Sequence, residues 1–316
     1  DTMTLEEAMK QPDREQFILA MHKELNDHIH RRHWKVLPRS SVPIHRKPIP
    51  MVWSMKRKRN PLGEIIKWKA RLCAGGHKQQ FGIDYWATYS PVVSWSTVRL
   101  MIIIAVLLNW ETRSIDFVQA FPQAPVSTET YMFPPKVPAD FSISDLPGIF
   151  DRFTKVYKLL QNLYGLKDAG KTWFEYLSKG LIERGWKPSE IDSCLFTKND
   201  VMLIVYVDDA ILISPNKDHI EFELASLRKS YELTDEGPLH DYLGTRFDRE
   251  DGKVTLSQPR MINRILELVG LDPKDERTKR HDSPADSETM LTRDENGETR
   301  QQDWNYRAVV GCLSYL

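Results

Sequence analysis

A chain of 316 residues, 41% hydrophobic and 28% charged, is long enough to bury a sizeable core and form two or more subdomains. It has the balance of a soluble globular protein rather than a disordered or fibrous one. Its three cysteines, Cys73, Cys194 and Cys312, form no C-x-x-C pair, which speaks for a reducing compartment and against a zinc ribbon. No signal peptide or membrane-spanning run is apparent, so an intracellular, non-secreted protein with no membrane partner is expected.

In chain order, Thr4-Leu5-Glu6-Glu7 is a capping-box pattern opening a short helix. Pro12 is placed to open a second, with Phe17, Ala20, Met21 and Leu25 on one face. His22, His28, His30 and His33 cluster towards its end; their spacing follows no zinc pattern, and solvent-facing histidines are expected. From Arg39 to Gln80 eleven Lys and Arg residues face a single acid, Glu64, with Trp53 and Trp68 interleaved. The net charge of zero therefore hides a strongly basic segment suited to phosphates and bases. Within it Lys67, Lys69 and Arg71 alternate, so a strand would put them on one face.

The apolar run Leu100–Leu108, with Ser94 or Ser96 as cap, predicts a buried core helix. Thr112–Phe117 reads as a short strand carrying Asp116. Trp173, Leu177 and Leu181 mark a helix after the loop at Gly165, and Ile220, Leu224 and Leu227 another further on. Between these helices, Tyr206-Val207-Asp208-Asp209 joins the apolar runs Val201–Val205 and Ala210–Ile213, which predicts a hairpin with two carboxylates at its tip. Asp251-Gly252 is expected to join strands Tyr242–Asp248 and Val254–Ser257. Pro259 opens a helix carrying Ile262, Ile265 and Val269, and Leu271–Asp303 is polar and read as a flexible linker.

Adjacent carboxylates disfavour each other's charge, and a hard divalent cation is the usual remedy. If Asp116 meets Asp208 and Asp209 across a sheet, the three would hold two Mg²⁺ ions about 3.5–4 Å apart, the arrangement that clamps both oxygens of an in-line phosphoryl displacement.

The motifs resemble the reverse transcriptase domain of copia-type retrotransposons. The resemblance runs from Lys69-Ala70-Arg71-Leu72-Cys73-Ala74-Gly75-Gly76, Gly82-Ile83-Asp84-Tyr85 and Tyr89-Ser90-Pro91-Val92-Val93 through Asp116-Phe117-Val118-Gln119-Ala120-Phe121 and Leu163-Tyr164-Gly165-Leu166-Lys167. It continues with Tyr206-Val207-Asp208-Asp209, Asp235-Glu236-Gly237, Tyr242-Leu243-Gly244 and Leu256-Ser257-Gln258, covering nearly the whole chain. It implies an α+β right-hand polymerase fold: a palm with an antiparallel sheet backed by helices, plus fingers and a partial thumb or connection. The expected divisions are 1–38 (N-terminal helical segment of the fingers), 39–92 (basic fingers), 93–121 (first part of the palm), 122–160 (fingers insertion), 161–250 (palm with the catalytic hairpin) and 251–316 (start of thumb or connection, with a linker at 271–303).

The same resemblance implies an RNA-directed DNA polymerase using Mg²⁺, or Mn²⁺ in its place, with Asp116, Asp208 and Asp209 as catalytic metal ligands. The Phe117 carbonyl would be a further ligand. Lys69, Arg71, Phe117, Ala120, Phe121, Tyr164 and Gly165 would bind the deoxynucleoside triphosphate, with Phe121 as a steric gate against a ribose 2′-hydroxyl. Tyr206, Val207, Tyr242, Leu243 and Gly244 would meet primer or template. The implied partners are an RNA template with its DNA primer and the remaining Pol segments, ribonuclease H and integrase, in a cytoplasmic virus-like particle or the nucleus. Two departures stand out. Asp168-Ala169-Gly170-Lys171 replaces the family's Gln-Ala-Pro-Arg, adding a carboxylate near the expected nucleotide pocket, and Gly76 stands where Lys is common. Measured against a complete polyprotein, the rest of the thumb, the ribonuclease H and the integrase are missing. The alternative is therefore a truncated, catalytically inactive retroelement remnant that at most binds nucleic acid.

Overall fold

Thr4 opens the first helix as its sequence predicts: its hydroxyl accepts from the Glu7 backbone N–H, and the Glu7 carboxylate accepts from the Thr4 N–H at 2.7 Å. The computed structural model describes residues 2–59, 64–143, 148–250, 253–272 and 303–316, in two compact units, Asp1–Pro238 and Leu239–Leu316.

The first unit begins with β1 (Thr2–Met3), α1 (Leu5–Met9) and α2 (Arg14–His30). Phe17, Met21 and Leu25 form the buried stripe of α2. The helix starts two residues after Pro12, because Asp13, at its N-cap, gives its carboxylate to the Arg57 guanidinium (2.7 and 2.9 Å) and the Trp68 indole (2.6 Å). That ion pair holds the Asp13 carboxyl well below the usual carboxylate range. The chain continues through β2 (Trp34–Pro38), β3 (Met51–Arg59), β4 (Ile65–Ala74), α3 (Trp95–Leu107), β5 (Glu111–Phe117), α4 (Ala120–Gln123), β6 (Tyr131–Met132), β7 (Lys155–Leu159), α5 (Ala169–Glu183), β8 (Lys187–Pro188), β9 (Leu195–Lys198), β10 (Val201–Tyr206), β11 (Asp209–Ser214), α6 (Lys217–Arg228) and β12 (Leu233–Gly237).

Among the described residues of this unit the strands form three sheets, ordered β1-β3-β4, β2-β7-β6 and β12-β5-β11-β10-β9-β8. Every pairing in the six-stranded sheet is antiparallel. Trp173, Leu177 and Leu181 of α5 and Ile220, Leu224 and Leu227 of α6 pack with Ile115, Phe117, Leu203, Val205 and Leu212 in one core cluster. The strand residues alternate in sequence, as one face of a pleated sheet requires. Each large side chain so buried contributes about 1.5–3 kcal/mol. An antiparallel sheet backed by helices is the α+β arrangement expected from the sequence.

The second unit has a sheet of β13 (Asp241–Tyr242), β14 (Thr245–Glu250) and β15 (Lys253–Ser257), with α7 (Pro259–Val269) and α8 (Tyr306–Tyr315). Pro259 opens α7, and Gly270 closes it in the left-handed conformation, φ +70°.

Three expectations are corrected. The strand predicted over Tyr242–Asp248 breaks at Leu243 and Gly244, whose φ values of +49° and +79° turn the chain back on itself. His28 and His33 are buried rather than solvent-facing, their Nδ1 atoms 2.7 Å apart; burial first, and then the neighbouring His28, pushes His33 down to about 3. Ser94 does cap α3, accepting from Thr97 N–H, but the helix is not buried all round. It packs against β11 and buries Val98, Met101, Ile102 and Ala105, while Leu100, Ile103 and Leu107 are exposed. A helix on a sheet covers one stripe only, whatever its composition. The expected turn at Asp251-Gly252 and nearly all of the linker over 271–303 lie outside the described residues.

Candidate active site

The register of the central sheet brings the distant carboxylates together. Asp116 of β5 lies directly opposite Asp209 of β11. Tyr206 also pairs with Asp209, leaving Val207 and Asp208 as a two-residue turn. The Phe117 N–H donates to the Asp208 carbonyl at 2.7 Å, tying the turn to the end of β5. Because Ile115 and Phe117 point into the core, Asp116 between them faces the other way. Asp116 and Asp208 line one cavity of about 410 Å³. Asp209 does not line it, although its register opposite Asp116 puts the two carboxylates on one face of the sheet.

Burial is the main cause that raises Asp116, followed by Asp208 and Glu236, with Lys69 opposing. Asp209 is pushed up to about 6, again by burial first and then by Asp208, Asp116 and Glu236. Among the described residues no three His, Cys, Asp or Glu side chains are grouped so as to hold a metal ion. A carboxylate whose folded pKa is raised binds more protons in the folded state, so its contribution to stability falls as pH rises from about 4 through about 6. Asp209→Asn is accordingly expected to melt higher than the parent at pH 7.5 in chelator. Thermal melts over a pH series should show that difference shrinking as pH drops below about 6.

The facing wall is basic. Along β4, Ala70, Leu72 and Ala74 are buried, which leaves Lys67, Lys69 and Arg71 on the other face, as their alternation predicts; all three line the cavity. Burial, then Arg71, Lys67 and Lys58, lowers the Lys69 pKa. The Arg71 guanidinium lies 4.1 Å from the centroid of the Tyr164 ring, a cation–π contact. Tyr164 is held from behind: its carbonyl accepts from the Ala74 N–H at 2.7 Å. Gly165, at φ +90°, abuts the Ala74 carbonyl so closely that a Cβ would collide with it. Gly76 abuts the Gly165 carbonyl in the same way, so no lysine side chain fits at position 76. Asp168 is not on the cavity wall either. It is buried, accepting from the Ser127 hydroxyl at 2.5 Å, so the added carboxylate is turned away from the pocket.

Phe117 lines the cavity with its neighbours Val118 and Gln119. Ala120 is buried in the core. Phe121 lies beside Tyr164, ring centroids 5.0 Å apart, and packs against both core clusters of this unit rather than lining the cavity. Tyr206 ends β10 and is partly exposed. Val207 has φ +58°, a left-handed conformation that is strained for a β-branched residue and usually given to Gly in such turns. Tyr242, Leu243 and Gly244 belong to the second unit, where the Leu243 carbonyl accepts from the Tyr315 hydroxyl.

Sequence reasoning missed four features of this region. Glu24 reaches the cavity wall from α2 while accepting from the Leu72 N–H at 3.0 Å. Gln119, at φ +50°, faces the cavity. Glu236 occupies a bulge of β12 opposite β5. The Trp173 indole N–H donates to the strained Val207 carbonyl at 2.6 Å. A capped helix or an apolar stripe is visible in sequence, but which of its residues reaches a particular cavity is not. Trp173→Phe leaves that carbonyl without its partner. It is expected to cost about 1–3 kcal/mol in urea unfolding.

A family model described as Reverse transcriptase (RNA-dependent DNA polymerase) matches residues 32–279, and the chain belongs to that family. It is similar to the Retrovirus-related Pol polyprotein from transposon RE1 of Arabidopsis thaliana, 31% identical over 94% of this chain and 19% of that protein. It is also similar to the corresponding polyprotein from transposon TNT 1-94 of Nicotiana tabacum, 27% identical over 99% of this chain and 23% of that protein. With the Transposon Ty1-H Gag-Pol polyprotein of Saccharomyces cerevisiae the identity is 25%, covering 96% and 17%. The copia-type resemblance read from the motifs agrees with these matches. The chain spans about a fifth of the length of these relatives. No helix among the described residues is long and apolar enough to cross a membrane.

Proposed function

We propose that this chain is the RNA-directed DNA polymerase domain of a retrotransposon Pol polyprotein and adds deoxynucleotides to a primer 3′-hydroxyl. One observation carries the reading: Asp116 and Asp208, from segments far apart in the chain, share a cavity wall that faces Lys67, Lys69 and Arg71. On this reading the central sheet with α5 and α6 is the palm, the basic β3–β4 hairpin belongs to the fingers, and the second unit begins the thumb or connection.

Asp116, Asp208 and Asp209 are an all-oxygen donor set under mutual repulsion, which fits a hard divalent cation. Bound there, Mg²⁺ would supply charge neutralisation and Lewis acidity to the reacting phosphate. The protein's own part is positional and electrostatic. Lys69 and Arg71 hold the triphosphate and offset the negative charge that grows on the departing pyrophosphate. Tyr164, clamped between Arg71 and the Gly165 turn, borders the nascent base pair. The strained Val207 turn meets the primer end, and Tyr242, Leu243 and Gly244 contact the primer–template duplex. Phe121, packed on Tyr164, acts as the steric gate. Phe121→Ala is expected to raise ribonucleotide incorporation about 10-fold or more relative to deoxynucleotide, a scale set by losing one close steric contact; unchanged sugar discrimination in a competition assay removes Phe121 from the role.

Primer extension on an RNA template with deoxynucleoside triphosphates and Mg²⁺ is the deciding experiment. Templated incorporation is the expected result. Hybrid binding with no incorporation would favour a protein that only binds nucleic acid.

A further inference from the structure

Strand β4 lies at the edge of its sheet, so alternate N–H groups along it face away from β3 and need other acceptors. Two of them find acceptors on residues that line the active-site cavity. The Ala74 N–H donates to the Tyr164 carbonyl at 2.7 Å, and the Leu72 N–H donates to Glu24 Oε1 at 3.0 Å. The second contact falls on the peptide unit that joins Leu72 to Arg71, the residue whose guanidinium lies over the Tyr164 ring. Glu24 therefore holds the backbone at the root of the Arg71 side chain, while Tyr164 holds both the next free N–H and the tip of that side chain.

Glu24 comes from α2, which packs against β4. Its side chain is only 16% exposed, and Oε1 also lies 3.4 Å from Nε2 of His28. His28 is buried, and its Nδ1 meets Nδ1 of buried His33 at 2.7 Å. Two ring nitrogens facing each other this closely share one proton. Placed on His33, that proton leaves His28 Nδ1 as the acceptor and gives His28 an Nε2–H turned towards Glu24. His33 is anchored in turn. Its backbone N–H donates to the His28 carbonyl at 3.0 Å, and its carbonyl accepts from the Leu160 and Gln161 N–H groups at 2.9 and 3.2 Å. The two histidines, which the proposed chemistry does not use, thus form a buried prop behind a carboxylate that reaches the cavity.

We infer that Glu24, propped by His28 and His33, is a positioning residue that sets the reach of Arg71 over the triphosphate. A displacement of about 1 Å in the Arg71–Leu72 peptide is carried to the guanidinium, and errors of that size spoil a binding geometry. A hydrogen bond from a backbone N–H asks for an acceptor at the right distance rather than for a net charge, so the reach of the Glu24 side chain matters more than its ionisation. The inference rests on the polymerase reading for the triphosphate, while the grip on β4 does not.

The test uses the whole chain on a primer–template hybrid with a dideoxy primer end, where no bond can form, and measures equilibrium affinity for the next deoxynucleoside triphosphate. Glu24→Ala is expected to weaken that affinity about 5-fold or more, the scale of one lost hydrogen bond. Glu24→Gln keeps an acceptor at the same reach and should stay within about twofold of the parent. Glu24→Asp keeps the charge but is one methylene shorter; it should resemble the alanine variant, and it replaces that variant if alanine prevents folding. In an Arg71→Ala background Glu24→Ala should add less than about twofold, because the two act through one contact. A glutamine variant as weak as alanine, an aspartate variant as tight as the parent, or additive losses in the double variant would each overturn the inference. Amide exchange at Leu72 separates it from the polymerase reading. Exchange should be slow in the parent and the glutamine variant, and about tenfold faster or more in the alanine and aspartate variants. A parent that binds the hybrid but no triphosphate would sink the polymerase reading. Leu72 exchange equally fast in parent and alanine variant, with the triphosphate bound normally, would sink the inference alone.

Discussion

Asp208→Asn is expected to abolish nucleotide incorporation, with a loss of roughly 10³-fold or more, the scale on which removing one group that stabilises transition-state charge acts. Binding of a primer–template hybrid should be largely retained. The substitution conserves volume, and the Asp208 contact that orders the turn is made by its backbone carbonyl, which accepts from the Phe117 N–H. Stability should rise slightly in chelator rather than fall. Burial is the leading cause that raises Asp116 and Asp209, and Asp208 is the largest neighbouring charge acting on both, so its neutralisation relieves repulsion. Single-turnover incorporation, hybrid titration and a thermal melt measured together separate the loss of a catalytic carboxylate from unfolding. A variant that still incorporates within tenfold of the parent would remove Asp208 from the chemistry.

Gly165→Ala should be the most damaging small substitution in the first unit. The backbone at Gly165 has φ +90°, and an added Cβ would strike the Ala74 carbonyl; strand β4 and the Tyr164 turn must therefore separate. Left-handed strain and a backbone clash together are expected to cost about 3 kcal/mol or more in urea unfolding. Nucleotide affinity should fall as well, since Tyr164 leaves its place beneath Arg71. Gly82→Ala is the control: its φ is +79°, but nothing lies within 4 Å of the added Cβ, so only the strain remains, about 1 kcal/mol. Equal destabilisation of the two variants would show that the Gly165–Ala74 approach carries no special weight.

Much of the secondary structure was legible because it depends on local chemistry. The Thr4 capping box, Ser94 as cap of α3, Pro259 at the start of α7 and the stripes of α5 and α6 each follow from a few neighbouring residues. The His28–His33 pair was misread because polarity alone does not reveal a buried partner. The outer face of α3 was misread because composition does not report how much surface a neighbour covers. Asp168 was placed near the pocket by its motif, and the fold turned it towards Ser127 instead.

By itself the sequence determined the family, the hairpin with its two acids and the single basic face of β4, since motif order, turn chemistry and strand alternation are properties of short stretches of chain. Only the tertiary structure decided that Asp116 stands opposite Asp209, that Asp208 rather than Asp209 shares a wall with Asp116, and that Trp173 and Glu24 reach the site at all. Strand register and helix docking are set by packing among residues distant in the chain, and no local pattern encodes them.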